Sequence, residues 1–265
     1  MQIRIKVGDF RLGVREREAI EMVLNSGVLS EGTNVYQFEK KWAAYVGTKY
    51  CVATSSGSAG LIAGLLALKY LKSLPNGTKV ITTPLTYVAT SSAICAAGFE
   101  PVYVDVDPRT FNITPENVEL LLEEEHDSSN YAIILPVHLM GYPVQMDRMN
   151  AIAERYGMLT FEDAAQAHGT SYKGKRVGAL SLLAAFSFYI AHTIQAGEMG
   201  AVVTNDPEID CLMRKIKAQG RMCDCPVCTR SSGVCSRLTD YAGEDDFDPR
   251  FVHDVIGHNF KVMEF

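Results

Sequence analysis

Several polar side chains stand directly after apolar segments that are typical of buried strands. Asp163 stands just after the apolar run that ends at Phe161. Gln166 and His168 stand three and five residues after Asp163. A carboxylate at such a place can hold the proton of a pyridine ring, which keeps the ring cationic and electron-withdrawing. Asp is also a favoured helix N-cap, so Asp163 taken alone fits a structural role equally well.

Two further loops of this kind precede helical segments. Residues 55–58 read Ser-Ser-Gly-Ser between a short apolar strand and an Ala/Leu-rich helix, an arrangement that presents backbone N–H groups to an anion. Tyr87 follows a Thr-Pro-Leu-Thr turn and fits either a half-buried core residue or an aromatic group that stacks on a ligand.

The last loop contains a histidine. An apolar segment ends at Ser187, and His192 follows five residues later, in a loop before a Gly-flanked hairpin. A lone histidine is more often structural, although its side chain can carry protons near neutral pH.

Four of the seven cysteines lie within thirteen residues, at Cys223, Cys225, Cys228 and Cys235. Four thiolates suit an iron–sulfur cluster or a tetrahedral zinc ion. The single residue between Cys223 and Cys225 is tight for zinc, and free thiols are the third alternative.

The elements that must position these residues alternate along the chain. Predicted strands are 50–54, 79–82, 101–105, 131–136, 158–161, 185–189 and 200–204, and predicted helices are 13–27, 34–46, 59–71, 87–97, 114–125 and 146–156. This alternation predicts an α/β fold with a mostly parallel central sheet and helices on both faces. In such sheets ligands bind at the carboxyl ends of the strands, where the polar loops lie.

Composition excludes some classes of function. The 25 basic and 31 acidic residues give a formal net charge of −6 without any basic stripe, which argues against nucleic-acid binding. No apolar run has the length of a membrane span and no signal peptide is evident, so we expect a cytoplasmic protein that does not enter a membrane.

The loops together resemble the DegT/StrS family of pyridoxal-phosphate sugar aminotransferases. The strings that carry this resemblance are LSEGTNVYQFEKKWAAYVG, ATSSGSAGL, TPLTYVATSSAI, PVHLMGYPVQMD, EDAAQAHGTSYKGKRVG, AFSFY and GHNFKVMEF. The resemblance implies the large domain of a fold-type I transferase across residues 1–265, with a helical N-terminal segment over about 1–48. It also implies a homodimer, and the chain is expected to end before the small C-terminal domain of such proteins. The segment of about 221–250 is expected to be a cysteine-rich excursion from the domain.

Residue roles follow from the same resemblance. Gly57, Ser58 and Ser187 correspond to ligands of the cofactor phosphate. Tyr87 corresponds to the stacking aromatic, Asp163 to the partner of the ring nitrogen and Gln166 to the amide near the 3-hydroxyl. Asn259 corresponds to an Asn that reaches the phosphate in the partner subunit's site.

His192 departs from the aminotransferase pattern, which has a lysine at this position that binds the cofactor covalently. The string SFYIAH is similar to the branch of nucleotide-sugar 4-keto-6-deoxyhexose 3-dehydratases, in which this histidine is the base and the cofactor is bound without a covalent link. Within that branch the cysteines resemble the [2Fe–2S] type, which accepts electrons from a reductase. One cluster ligand of that type is missing, because its position holds Ala165.

The predicted function is therefore a pyridoxamine- or pyridoxal-phosphate-dependent 3-dehydratase in deoxysugar and lipopolysaccharide biosynthesis. Its substrate would be a nucleotide-linked 4-keto-6-deoxyhexose, with His192 as base. The alternatives are a sugar aminotransferase of the same family and a non-catalytic metal-binding homologue.

Overall fold

A seven-stranded sheet forms the centre of the protein. The computed structural model describes residues 7–9, 11–223, 225, 227–229, 233, 235 and 251–265. The strands are β1 (Tyr50–Thr54), β2 (Lys79–Thr82), β3 (Glu100–Tyr103), β4 (Tyr131–Ile134), β5 (Leu159–Asp163), β6 (Ser171–Tyr172), β7 (Lys175–Arg176), β8 (Leu183–Ser187) and β9 (Gly200–Thr204). Their order in the sheet is β1-β9-β8-β5-β4-β2-β3, and β6 pairs with β7 in a separate hairpin. The pairs β2–β3, β2–β4, β4–β5 and β5–β8 are parallel, and β9 is antiparallel to both of its neighbours. The predicted α/β fold with a mostly parallel sheet is confirmed.

Seven α-helices are described: α1 (Val14–Ser26), α2 (Thr33–Val46), α3 (Gly57–Lys72), α4 (Ala89–Ala96), α5 (Pro115–Glu124), α6 (Met146–Arg155) and α7 (Pro207–Lys217). Local sequence explains their ends. The side chains of Ser56, Thr114 and Asp206 cap α3, α5 and α7, and a proline opens each of the last two. Gly27 and Gly47 end α1 and α2 in the left-handed conformation that glycine adopts without strain.

Alternate residues of the strands pack against helices on opposite faces of the sheet. Leu183 and Ala185 lie in one buried cluster with residues of α3, α4 and α7, whereas Ala184 and Phe186 lie in another with Trp42 of α2. A third cluster joins Ile81 and Ile134 to α5 and α6. The period of two follows from the pleat of a strand, and it makes the core two-layered around the sheet.

Helix α7 was not predicted from the sequence. Its signals were nevertheless present, because Asp206-Pro207 is a capping pair and Ile209, Met213 and Ile216 recur at helical spacing. The short hairpin β6–β7 was also missed; it turns through Lys173 and Gly174, both at positive φ.

The last described segment, 251–265, returns to the body of the fold. The backbone N–H of Ser55 donates to the carbonyl of Phe260. The Glu264 carboxylate accepts from the N–H groups of Gly32, Asn34 and Val35 at 2.5, 2.9 and 3.0 Å, and so caps the start of α2. Much of the predicted excursion over about 221–250 lies outside the described residues. None of the helices in the described part is both long and apolar enough to cross a bilayer.

Candidate functional site

A cavity of about 520 Å³ opens at the carboxyl ends of the parallel strands. Strands β1, β2, β4, β5 and β8 end toward it, and the antiparallel strand β9 begins beside it. The predicted site residues that line it are Gly57, Ser58, Tyr87, Asp163, Gln166, Ser187 and His192. Residues far apart in the sequence therefore meet at one site, in the place where open α/β sheets bind ligands.

The start of α3 forms an anion cradle at one end of the cavity. The Ser56 side chain accepts from the N–H of Ala59, while the first N–H groups of the helix have no partner within the helix. A Cβ on Gly57 would lie 2.6 Å from the Ser187 Cβ, and one on Gly200 would lie 2.2 Å from the Ser56 carbonyl oxygen. Only glycine permits these approaches, which bring N–H groups and the Ser187 hydroxyl side by side.

Asp163 is the last residue of β5 and is buried. Its Oδ2 accepts from the Thr90 hydroxyl at 2.8 Å and its Oδ1 from the N–H of Ala165 at 3.2 Å. Burial raises the pKa of Asp163, and the two hydrogen bonds and the neighbouring His138 and His192 oppose that rise. A buried carboxylate with so few partners favours a cationic ligand group, and a pyridinium is one.

Gln166 has a defined orientation. Its Oε1 accepts from the N–H of Met140 at 2.6 Å, which leaves Nε2 as the amide's donor for a ligand. Met140 itself has a positive φ of 53° and lies in the short 3₁₀ turn Leu139–Gly141 at the cavity rim.

His138 is fully buried, lines the cavity and was not predicted as a site residue. Its Nδ1 accepts from the N–H of Val144 at 3.1 Å, so the ring proton is on Nε2, which lies 2.9 Å from Oε2 of Glu162. Glu162 also accepts from Gly178, Leu180 and Ser181. Since its backbone N–H donates to the Asp163 carbonyl at 3.0 Å, His138 fixes the end of β5.

His192 lies in the loop between β8 and β9 and faces the same cavity. Its Nδ1 is buried and has no hydrogen-bond partner in the described part of the chain. Burial lowers the pKa of His192, and the charge of Asp163 partly opposes this shift. The ring is therefore neutral at neutral pH and can accept a proton. Among the described residues that line the cavity there is no lysine.

The part of the chain that the structure describes gives no support for the predicted metal site at the cysteine quartet. Within the described residues, which include Cys223, Cys225, Cys228 and Cys235, no group of three His, Cys, Asp or Glu side chains is arranged to hold a metal ion. Burial and the nearby Cys225 and Cys228 raise the pKa of the Cys223 thiol, which favours the protonated thiol. The expected iron–sulfur or zinc centre, and with it the expected reductase, thus has no support here.

Asn259 is not among the residues that line the cavity. It is exposed, its Oδ1 accepts from Lys261 at 2.8 Å, and its backbone pairs with Ala218. Its predicted role in a partner subunit's site stays a prediction.

Other cavity residues were not found from the sequence. Thr90 stands one turn beyond Tyr87, and the only signal for it was a hydroxyl in the first turn of α4. His138 directly follows the apolar segment that contains β4, which is the same signal that identified Asp163. Thr86 and Glu198 line the cavity as well.

Comparisons with known sequences and structures found similar proteins. Residues 11–265 match the DegT/DnrJ/EryC1/StrS aminotransferase family. The spore coat polysaccharide biosynthesis protein SpsC of Bacillus subtilis (strain 168) is 37% identical over 209 residues, which are 79% of this chain and 51% of SpsC.

Two solved structures show the same fold over almost all of the chain. The GDP-4-keto-6-deoxy-D-mannose-3-dehydratase of E. coli with bound hydrated PLP has a TM-score of 0.83 and 29% identity, covering 100% of this chain and 65% of that one. An aminotransferase from Psychrobacter cryohalolentis has a TM-score of 0.80 and 30% identity, covering 96% of this chain and 59% of that one. The chain thus spans about half of SpsC and about three-fifths of these two structures.

Proposed function

Because the chain belongs to the DegT/DnrJ/EryC1/StrS aminotransferase family, we propose that it binds pyridoxamine or pyridoxal phosphate non-covalently and removes the 3-hydroxyl of a nucleotide-linked 4-keto-6-deoxyhexose. One observation carries the proposal: His192, a neutral imidazole, faces the cavity. The sequence resemblance matches its position with the lysine of family aminotransferases. An imidazole can move a proton but cannot hold the cofactor covalently as that lysine does.

The residues of the cavity fit such a cofactor. The N–H groups at the start of α3, with the Ser187 hydroxyl, form a cradle for a phosphate. The buried Asp163 carboxylate would face the ring nitrogen, and Nε2 of Gln166 would donate to the ring's 3-oxygen. The exposed ring of Tyr87 at the cavity is available to stack on the pyridine.

When bound, the cofactor supplies an electron-poor ring that stabilises negative charge left by removal of an adjacent proton. Asp163 would keep that ring protonated, because an ion pair relieves the cost of burying its carboxylate. His192 would take the adjacent proton at a nitrogen of its own imidazole. Together with the hydroxyl that leaves C3 of the sugar, that proton makes up one water, so the elimination balances.

The relatives support the cofactor more broadly than the reaction. The E. coli dehydratase binds hydrated PLP, and the Psychrobacter protein is an aminotransferase. The side chain at residue 192 favours elimination over amination, since an aminotransferase uses lysine both as anchor and as base.

The test compares the parent protein with a His192→Asn variant, each given pyridoxamine phosphate and a panel of nucleotide-linked 4-keto-6-deoxyhexoses. We expect the parent to eliminate the 3-hydroxyl and the variant to be slower by at least about a hundredfold, a typical contribution of a general base. The absorbance of bound pyridoxamine phosphate should be equal in both proteins, which separates loss of the base from loss of the cofactor. Elimination by the variant at the parent rate, or transfer of an amino group to the sugar by the parent protein, would refute the proposal.

A further inference from the structure

His168 belongs to the same sequence motif as Asp163 and Gln166, but it has no role in the proposed function. It shares the segment 163–168 with Asp163 and Gln166, but it is absent from the cavity lining. Its ring lies in an aromatic cluster, stacked on Phe188 with ring centroids 4.9 Å apart and edge-on to Trp42 at 5.4 Å. The ring centroid of His192 is 6.2 Å away. His168 therefore lies directly behind the loop that carries the proposed base.

The hydrogen bonds of that loop show how it is held. Within the loop the N–H of His192 donates to the Tyr189 carbonyl at 2.9 Å, and that of Ala196 donates to the Phe188 carbonyl at 2.9 Å. The N–H of Ile194 donates at 3.2 Å to Nδ1 of His168. Among the hydrogen bonds described for residues 189–198, this last one joins the loop to a different part of the chain.

The direction of this bond defines the state of the His168 ring. A backbone N–H can only donate, so Nδ1 must be unprotonated to accept from it. The ring is then neutral with its proton on Nε2. Burial, and secondly the nearby His192, lower the pKa of His168 to about 4, although the backbone of Ser187 opposes the shift, and a lowered pKa agrees with that geometry.

We propose that His168 is a positioning residue that holds the His192 loop in place by accepting the Ile194 N–H at Nδ1 of a neutral imidazole. Stacking on Phe188 secures the start of the loop, and the bond to Ile194 secures the part just beyond His192. A protonated ring would present two N–H donors and could not accept from Ile194, so protonation releases the loop. The consequence for turnover rests on the proposed function, whereas the contact itself does not.

The test measures amide hydrogen exchange at Ile194 in the cofactor-free full chain. His168→Asn and His168→Leu form a matched pair, because both lose the ring and have nearly the same shape, but only Asn keeps an acceptor near the Nδ1 position. We expect Ile194 to stay protected in the Asn variant and to exchange about tenfold faster in the Leu variant. The amides of Ala184 and Val202, buried in the sheet, are the control for intact global structure and should not differ between the variants.

Equal exchange at Ile194 in the two variants, whether both are slow or both are fast, would overturn the proposal.

A second measurement needs no variant. In the parent chain, protection of Ile194 should persist at neutral pH and fall as the pH drops toward about 4, where His168 gains a proton. Among the described contacts of His168, His192 is the titratable group that faces its ring. Tyr45 lies farther away, stacked on the other aromatic neighbour, Trp42. Constant protection at Ile194 down to pH 3.5, with the sheet amides still protected, would also contradict the proposal.

A kinetic readout separates this inference from the proposed function. If His192 is the base, His168→Leu should lower kcat by about tenfold with little change in KM, and His168→Asn should recover most of that loss. If no elimination is found in any variant, the proposed function fails while the exchange result at Ile194 still decides the role of His168.

Discussion

The hydroxyl of Thr90 donates a hydrogen bond of 2.8 Å to Oδ2 of Asp163. Thr90 also lies 2.8 Å from the Thr86 hydroxyl, and since its own proton is directed to Asp163, Thr86 is the donor in that contact. The two hydroxyls form a short chain from α4 and the turn before it to the carboxylate at the end of β5. This chain favours the charged form of the carboxylate and so opposes the rise that burial causes in the pKa of Asp163.

Replacing Thr90 by valine removes the donor while keeping the branched shape. We expect the pKa of Asp163 to rise further and the dissociation constant of pyridoxamine phosphate to increase about tenfold, because a protonated Asp163 pairs less well with the ring. Thr90→Ser keeps the hydroxyl and is the matched control. An absorbance titration with pyridoxamine phosphate measures the dissociation constant of each variant. Equal dissociation constants for the valine and serine variants would show that the Thr90 hydroxyl does not contribute to cofactor binding.

Asp163→Asn should stabilise the cofactor-free protein at neutral pH while it weakens cofactor binding. Burial raises the native pKa of Asp163 above the ordinary value of 3.8, so the cost of ionising it appears as the pH rises from 3.8 and is complete above the native pKa. The expected gain is about 1 kcal/mol at pH 7, and it should shrink as the pH falls toward 3.8. Urea unfolding at several pH values measures it.

Glu162→Gln is the contrasting variant for that experiment. Glu162 is the preceding residue of β5, and its carboxylate is bonded to His138, Gly178, Leu180 and Ser181. Removing a fully satisfied carboxylate should destabilise the fold by about 1–3 kcal/mol. Stabilisation by both substitutions, or by neither, would contradict the distinction between the two neighbours.

His192→Lys should convert the non-covalent cofactor site into a covalent one. The residue faces the cavity beside Asp163, and a lysine amine can form a Schiff base with an aldehyde. After incubation with pyridoxal phosphate and borohydride, mass spectrometry should find the added cofactor at residue 192 of this variant. The parent protein and His192→Gln should carry no such addition there. Modification of residue 192 in the Gln variant would mean that the addition does not report a Schiff base. An unmodified Lys variant would mean that the side chain at residue 192 does not reach the cofactor.

Gly57→Ala tests the anion cradle. The new Cβ would lie 2.6 Å from the Ser187 Cβ and 3.0 Å from its Oγ, so the start of α3 or the end of β8 must shift. We expect a loss of about 1–3 kcal/mol in unfolding free energy and a phosphate site too distorted to bind pyridoxamine phosphate at parent affinity. Ser58→Ala, an exposed change in the same turn, is the control and should leave stability nearly unchanged. Calorimetry with and without the cofactor compares the two variants.

Local sequence determined most of the secondary structure of this protein. The predicted strands over 50–54, 79–82 and 200–204 agree with β1, β2 and β9, because short apolar runs between turn residues have few other choices. Helix α7 was not predicted, although its capping pair Asp206-Pro207 and its helical periodicity are present in the sequence. The sheet class followed from alternation alone, whereas the antiparallel placement of β9 did not.

Most residues of the candidate site were also predicted from the sequence. Asp163 and Ser187 end strands β5 and β8, and Gln166 and His192 follow them. Because these parallel strands end at one edge of the sheet, the convergence of the four residues needed only a parallel topology. A quartet of nearby cysteines, by contrast, predicted a metal centre for which the described structure gives no support. Spacing shows that ligands are close along the chain, but not that their sulfur atoms converge.

Only the tertiary structure decided the contacts between distant segments. The bonds from Thr90 to Asp163, from His138 to Glu162 and from Ile194 to His168 join residues 73, 24 and 26 positions apart. Glu264 caps α2 from 232 residues away. No local periodicity encodes such pairs, because each depends on how whole elements pack. These contacts set the protonation state and orientation of the side chains that the sequence had identified.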